Sequence, residues 1–392
     1  MQNAFRFLLG LALVATAFAE KDIGTVEVQG DPNKTIAVSV SSSSSELQNL
    51  ALLAFGAHGA YRVVPGNGAF AFTFTPAGAN QVTVAITKAG ATVHSETVSG
   101  TSLRNAFFKA ADVAVARTSG LRGIFAGKLA FVAEHGGQET VMTGDLFFGE
   151  VQSHPVQGKQ IVGPRWAPDG SKIIFTSYKS GFPDIYVLDL RSRQLNVFAS
   201  FKGTNSGGRF SPDGQRVAMV LSGEGNPEIY VGNSSGRQIK RLTNNQSVEA
   251  SPSWSPDGSR LVFTSDAAGG PQLYVMPAAG GAMSRLGTNI SKYCAEPDWC
   301  PADAKKIVFT AGVGRGYQSA VYDFSAGTSK IVTKAPMDAI EPVWAPDGRH
   351  IICTFRAANT RWLCLVDTES GKAVRISPSS LGNAGNASYL AQ

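Results

Sequence analysis

From about residue 128 onward, short apolar runs return in the same order. Ile173-Ile174-Phe175-Thr176, Val217-Ala218-Met219-Val220, Leu261-Val262-Phe263-Thr264, Ile307-Val308-Phe309-Thr310 and Ile351-Ile352-Cys353-Thr354 form one series. A second series follows after a turn, Asp184-Ile185-Tyr186-Val187, Glu228-Ile229-Tyr230-Val231 and Gln272-Leu273-Tyr274-Val275, and a more polar stretch such as Lys240-Arg241-Leu242-Thr243 comes third. Runs this short, bounded by turn residues, predict strands. Ahead of each first run stands Trp166-Ala167-Pro168-Asp169-Gly170 or a copy of it: Phe210 to Gly214, Trp254 to Gly258, the degraded Trp299-Cys300-Pro301-Ala302-Asp303, and Trp344 to Gly348. The prolines are 44, 44, 45 and 45 residues apart.

A period of this length with about four strands per unit is the signature of a β-propeller blade. Asp169, Asp213, Asp257 and Asp347 are read as structural turn residues. Pro fixes φ at the turn entry, Asp accepts backbone N–H groups, and Gly supplies positive φ. The Trp or Phe two places before the Pro is expected to pack between blades. Lys128 to Ala133, Glu139 to Phe148 and Val151 to Gln157 are three strands with no motif strand of their own. Ala387 to Leu390 is therefore expected to close the ring as the innermost strand of the first of six blades, which removes the open edge.

The pattern upstream is different. Thr35 to Val40 predicts a strand. Leu47, Leu50, Ala51 and Ala54 are spaced for a helix opened by the serine cluster at 41–45 and ended by Gly56 and Gly59. Ala60 to Val64, Ala69 to Thr75, Gln81 to Lys88 and Thr92 to Val98 read as strands of antiparallel type. Leu103, Phe107, Ala110 and Ala114 predict a second helix, capped by Thr101 or Ser102 and stopped by Gly120. Residues 35–122 thus form a small α/β domain ahead of a propeller over 126–392.

The first residues change the setting. Arg6, the apolar run Phe7 to Phe18 and Ala17-Phe18-Ala19 make a cleavable export signal over residues 1–19. The run is too short to span a bilayer, and no later stretch is long enough. Glu20 to Lys34 is then a polar, mobile tail. Its weak alternation at Ile23, Val26 and Val28 can add a strand to a partner's sheet edge.

Composition narrows the function. Hydrophobic residues are 43% of 392, enough to bury a core, and 43 glycines suit many turns. The net charge of +6 is scattered, without the basic stripe that nucleic acid requires. Four cysteines form no C-x-x-C pair, which excludes a common zinc pattern. Export permits disulfides, and Cys353 with Cys364, on consecutive strands, is one candidate pair; Cys294 with Cys300 is another. His58, His94, His135, His154 and His350 are dispersed and read as surface or turn residues. No Gly-x-Ser-x-Gly is present. No catalytic residue, metal or cofactor is assigned. Glu296 and Glu341, just ahead of inner strands, are placed at the channel mouth.

Signal, tail, small α/β domain and a six-bladed Trp-Ser-Pro-Asp-Gly propeller in this order, together with the junction Ala126-Gly127-Lys128-Leu129-Ala130-Phe131-Val132, resemble the TolB family, the periplasmic component of the Tol-Pal system of Gram-negative envelopes. The resemblance implies a monomeric, non-enzymatic interaction scaffold in the periplasm, acting in outer-membrane integrity and cell division. It implies docking of the peptidoglycan-associated lipoprotein Pal on loops leading into the inner strands: Thr204, Asn205, Ser206 and Gly207; Val248, Glu249 and Ala250; Tyr293, Ala295 and Glu296; Asp338, Ile340 and Glu341. Thr204 stands where the family carries a histidine. The tail residues Lys21, Asp22, Ile23, Val26 and Val28 are implied to meet the inner-membrane protein TolA. The competing expectation is a metal-assisted lyase or lactonase using the channel, which requires several His, Asp or Glu side chains converging at one height.

Overall fold

Serine caps set the small domain. The structure, a computed structural model, describes residues 25–26, 35–158 and 160–392. The export signal and Lys21, Asp22, Ile23 and Val28 lie outside the described residues. Helix α1 (Ser45–Ala57) starts where the Ser44 hydroxyl accepts the Leu47 N–H. It runs through Gly56 and ends at His58, so the two glycines do not stop it. Helix α2 (Leu103–Ser119) is capped by Ser102 and closed by Gly120 at φ 73°.

The sheet runs in the spatial order Tyr61–Val63, Ile36–Ser42, Phe70–Gly78, Gln81–Lys88, Ala91–Ser99. The sequence pattern reads as all antiparallel; the structure corrects this. Ile36–Ser42 is parallel to both neighbours. The cause is the crossover: α1 returns the chain to the same end of the sheet, so Tyr61–Val63 must run parallel. Both helices cover one face, burying Leu47, Leu50, Phe55, Phe107 and Ala110 against Phe72, Phe74, Val82, Val84 and Ile86.

The propeller has six blades, each a sheet of four antiparallel strands ordered from the channel outward. The inner strands are Ile161–Trp166, Asn205–Phe210, Glu249–Trp254, Cys294–Trp299 and Asp338–Trp344, and in the first blade Asn383–Leu390. The closing strand is thus longer than the expected Ala387 to Leu390, and it pairs with Lys128–His135. Arg361 of blade 6 also pairs with Glu139 of blade 1 across the closure. Blade 6 carries an extra strand on its outer edge: Thr25 and Val26 pair antiparallel with Val374 and Ala373. The tail residue Val26 thus sits on the edge of the blade 6 sheet.

The Pro-Asp-Gly turns work as local devices. Asp169, Asp213, Asp257 and Asp347 accept the N–H of Ser171, Gln215, Ser259 and Arg349 at 3.0, 3.0, 3.1 and 3.0 Å. The next residues, Gly170, Gly214, Gly258 and Gly348, have φ of 70, 70, 67 and 68°. Cys353 and Cys364 face each other in register, and all four cysteines are buried and unbridged. No helix among the described residues is long and apolar enough to cross a membrane.

Candidate interaction surface around the propeller channel

Each inner strand carries a bulge at the same place. The register breaks between Val162 and Arg165, Ser206 and Arg209, Ala250 and Ser253, Ala295 and Asp298, Ile340 and Val343, and Gly385 and Ser388. The bulge residues are Gly163, Gly207, Ser251, Glu296, Glu341 and Asn386, and all have positive φ, from 53 to 66°. Four are followed by proline (Pro164, Pro252, Pro297 and Pro342), which lacks the N–H that a regular ladder would need. Left-handed backbone costs a residue with a Cβ roughly 1–2 kcal/mol. Ser251, Glu296, Glu341 and Asn386 bear that cost at the rim of the channel.

Hydrogen bonds repay part of it. The Glu341 N–H donates to Glu296 Oε2 (3.0 Å), the Asn386 N–H to Glu341 Oε2 (3.1 Å), and the Gly163 N–H to Asn386 Oδ1 (3.1 Å). Thr310 and Thr354 hydroxyls donate to the same two carboxylates. These links join blades 5, 6, 1 and 2 into one rim. Burial, and then the charge of Glu296, push the Glu341 carboxyl above its ordinary range.

Gly163, Gly207, Ser251, Glu296, Glu341 and Asn386 surround a cavity of about 380 Å³ at this mouth. A second cavity, of about 340 Å³, opens toward the other end. It is ringed by one aromatic residue per blade: Trp166, Phe210, Trp254, Trp299, Trp344 and Tyr389. Arg165 and Arg209 line both cavities and form the waist. Arg209 forms an ion pair with Asp298, two blades away, and Asp298 also accepts the Trp344 N–H at 2.8 Å. Burial, and then the nearby Arg209, lower the Arg165 guanidinium to about 10.

The residues that the family resemblance implies for docking divide into two groups. Ser206, Gly207, Ala250, Glu296 and Glu341 meet at the first mouth. Thr204, Tyr293 and Ile340 are half-buried nearby and Val248 is exposed. Asn205, Glu249, Ala295 and Asp338 are buried instead. Asn205 ties down its own loop through Phe201 (2.8 and 2.9 Å). Glu249 accepts from the Ser265 hydroxyl (2.8 Å), and Asp338 pairs with Arg356 (2.8 Å). Their side chains face inward because strand alternation turns them away from the rim.

Residues that the sequence does not flag complete this face. Antiparallel strand order puts the loops entering the inner strands and the loops between second and third strands on one side. Tyr178, Phe182, Phe201, Val248, Val313 and Met337 are all exposed there, Phe182 at 72%. A lone Phe in a turn carries no periodic signal, so only the assembled ring brings these side chains together. The Pro-Asp-Gly turns lie on the opposite side, where the small domain packs: His58 at the end of α1 meets His350 just after the Asp347 turn, and Tyr389 Oη donates to Ile124 O in the linker at 2.5 Å.

No histidine lines either channel cavity. His58, His154 and His350 are buried rather than at the surface. Among the described residues one group, His58, Asp347 and His350, places three donor atoms within 4.8 Å of one another. The Nδ1 atoms of both rings are already engaged, His58 with the Ala60 N–H and His350 with Asp347.

The family pattern described as TolB beta propeller domain matches residues 115–389. The chain is 35% identical over 109 residues to the Tol-Pal system protein TolB of Methylobacillus flagellatus, covering 28% of this chain and 25% of that protein. It is 35% identical over 104 residues to the protein of the same name from Bordetella avium, covering 26% and 24%. These alignments span only about a quarter of the relatives' length. The crystal structure of TolB from Acinetobacter baumannii superposes with a TM-score of 0.83 at 24% identity, over 93% of this chain and 99% of that one. It shares the fold across both domains.

Proposed function

The chain belongs to the TolB β-propeller family, and on that premise we propose that it is the TolB component of a Tol-Pal system in a Gram-negative periplasm. It works there as a non-enzymatic scaffold. The face with the Glu296–Glu341 rim docks a peptidoglycan-associated lipoprotein. The tail, with Lys21, Asp22, Ile23, Val26 and Val28, is offered to a TolA-like inner-membrane protein. Holding both partners links the outer envelope to the inner membrane and supports outer-membrane integrity and constriction during division.

The observation that carries this reading is the make-up of one face. Exposed Tyr178, Phe182, Phe201, Val248 and Met337 surround a rigid, acid-bearing mouth. Apolar and aromatic side chains around a preorganised polar centre suit a protein partner. Channel chemistry fits less well. The two mouth carboxylates are engaged by backbone N–H groups and threonine hydroxyls, and no imidazole stands beside them. A pulldown from envelope extract with the purified chain tests the proposal. A lipoprotein with a peptidoglycan-binding domain is the expected capture, identified by mass spectrometry. Failure to retain it, with or without residues 20–34, would overturn the scaffold reading.

A further inference from the structure

His350 occupies the place where the other repeats carry Lys172, Arg216, Arg260 and Lys306. In blades 3 and 4 that cation lies over the next blade's tryptophan: Arg216 is 4.6 Å from the Trp254 ring and Arg260 4.7 Å from the Trp299 ring. In blade 6 the small domain occupies this ground. His350 is wholly buried, and its ring meets His58, at the end of α1, edge to face with centroids 4.3 Å apart. The surrounding contact is close. A Cβ on Gly59 would lie 2.0 Å from Asp367 Oδ2, and Lys372 Nζ donates to the Gly56 carbonyl at 2.5 Å.

The hydrogen bonds fix both tautomers. Asp347 Oδ1 accepts the N–H groups of Arg349 and His350, and its Oδ2 lies 2.6 Å from His350 Nδ1. The carboxylate is an acceptor there, so His350 Nδ1 carries the proton and its Nε2 is bare when the ring is neutral. His58 Nδ1 accepts the Ala60 N–H at 3.3 Å, so a neutral His58 carries its proton on Nε2. Both Nε2 atoms are buried and have no hydrogen-bond partner. The neutral pair therefore presents one bare nitrogen and one N–H. A proton added to His58 Nδ1 takes away the acceptor of the Ala60 N–H and leaves a buried charge on that ring, whereas His350 stands against the Asp347 carboxylate.

We propose that this contact is a proton-operated latch between the small domain and the propeller, closed while His58 is neutral and opened when His58 takes up a proton. It stands independently of the scaffold reading. The acceptors around His58 are already engaged. Asp347 is engaged by His350 and by two backbone N–H groups. Asp367 is paired with Arg349 at 2.6 Å, and Arg349 with Glu369. Tyr61 and Phe125 press their rings on His58. Asp112 accepts the Phe125 and Ala126 N–H groups, and Tyr389 donates to Ile124 O; Arg122 acts on Tyr389 from the segment after α2. Lys372 is spent on Gly56.

Burial, and then His350, hold His58 well below the ordinary imidazole value. A histidine depressed in the folded state contributes stability above its unfolded value, lost as pH falls below it. With an unfolded value near 6.5, opening rises about tenfold per pH unit below that point. The tail strand at Thr25–Val26 pairs with Val374 and Ala373, directly after Lys372. Acid thus acts on the docking of the small domain beside the tail.

Hydrogen exchange with mass spectrometry on the chain from Glu20 tests the latch, after correction for the intrinsic pH dependence of exchange. Peptides covering 54–61 and 121–127 are compared between pH 7.5 and 5.5, with blades 3 and 4 as internal controls. The wild type is expected to open about tenfold more at pH 5.5 in those peptides alone. His58→Gln is expected to flatten that response; if it does not fold, His58→Asn carries the same test. Unchanged wild-type protection at pH 5.5 overturns the latch, as does an undiminished response in the folded variant. Added zinc at pH 7.5 that protects these peptides in the wild type but not in the variant would make the cluster a metal site, and would also overturn it.

Discussion

The backbone N–H of Glu341 donates to the side chain of Glu296, so the bulge of blade 6 is held by the bulge of blade 5. Asn386 and Gly163 extend the link around the ring. The mouth is therefore preorganised. Its carboxylates are fixed in advance, so ordering them adds no entropy cost to binding.

The rim holds backbone strain that glycine would release. Ser251 sits at φ 53°. Ser251→Gly is expected to raise stability by about 1 kcal/mol, seen as a higher urea midpoint with unchanged slope. Glu341→Gly relieves the same strain but removes the acceptor of the Asn386 N–H and the Thr354 hydroxyl. It is expected to be destabilising, and a gain there would show that the rim bonds contribute nothing.

The waist depends on Asp298. Its side chain is 5% exposed, pairs with Arg209 and accepts the Trp344 N–H. Asp298→Ala leaves a guanidinium and a backbone N–H without their acceptor, and is expected to cost about 3 kcal/mol. The double change with Arg209→Met should cost less than the sum of the two single changes, because the partners share one interaction. Additivity in chemical denaturation would show that the pair is not coupled.

A buried carboxylate pair governs the neutral pH range. Burial, and then the neighbouring Glu228, raise Glu249 to about 7. A raised carboxyl favours the folded state while protonated, so its contribution is full below the unfolded value near 4.5 and is lost as pH climbs through 7. Wild-type stability should fall between pH 5 and 8 relative to Glu249→Gln. Parallel stability–pH curves for the two proteins would contradict the assignment.

Much of the fold was legible because the repeat writes its own punctuation. Pro168, Pro212, Pro256, Pro301 and Pro346 set the blade period, and the aromatic two places earlier set the inner strand. The same spacing continued one step places Tyr389 in the sixth position, a signal that the absence of a Pro-Asp-Gly after it hides. The bulge was legible in principle too, five places before each proline. Gly163, Gly207, Ser251, Glu296 and Glu341 share no chemistry, though, because the position selects a backbone conformation. Burial of Asn205, Glu249 and Asp338 was not readable, since polar residues leading into a strand look the same whether they face a partner or tie down their own loop. The His58–His350 contact joins residues nearly three hundred positions apart and has no local trace.

Closure predicts a sharp sensitivity to the C-terminus. Asn383–Leu390 supplies the inner strand of blade 1, the Asn386 link to Gly163 and the Tyr389 contact to the linker at Ile124. Removing residues 383–392 exposes the edge of Lys128–His135 and leaves blades 6 and 1 unjoined. The truncated chain is expected to lose its cooperative thermal transition and to aggregate. A truncated chain that melts like the intact one would show that the ring does not depend on this strand.

The most direct measurement is calorimetric titration of the chain from Glu20 with the soluble peptidoglycan-binding domain of its organism's Pal-like lipoprotein. Saturable one-to-one binding is expected. Phe182→Ser and Glu296→Lys, both at the mouth face, should each weaken it about tenfold or more. Val93→Ser, exposed on the edge strand of the small domain, should leave it unchanged. Absence of binding to the intact chain would contradict the account, as would binding indifferent to Phe182 and Glu296.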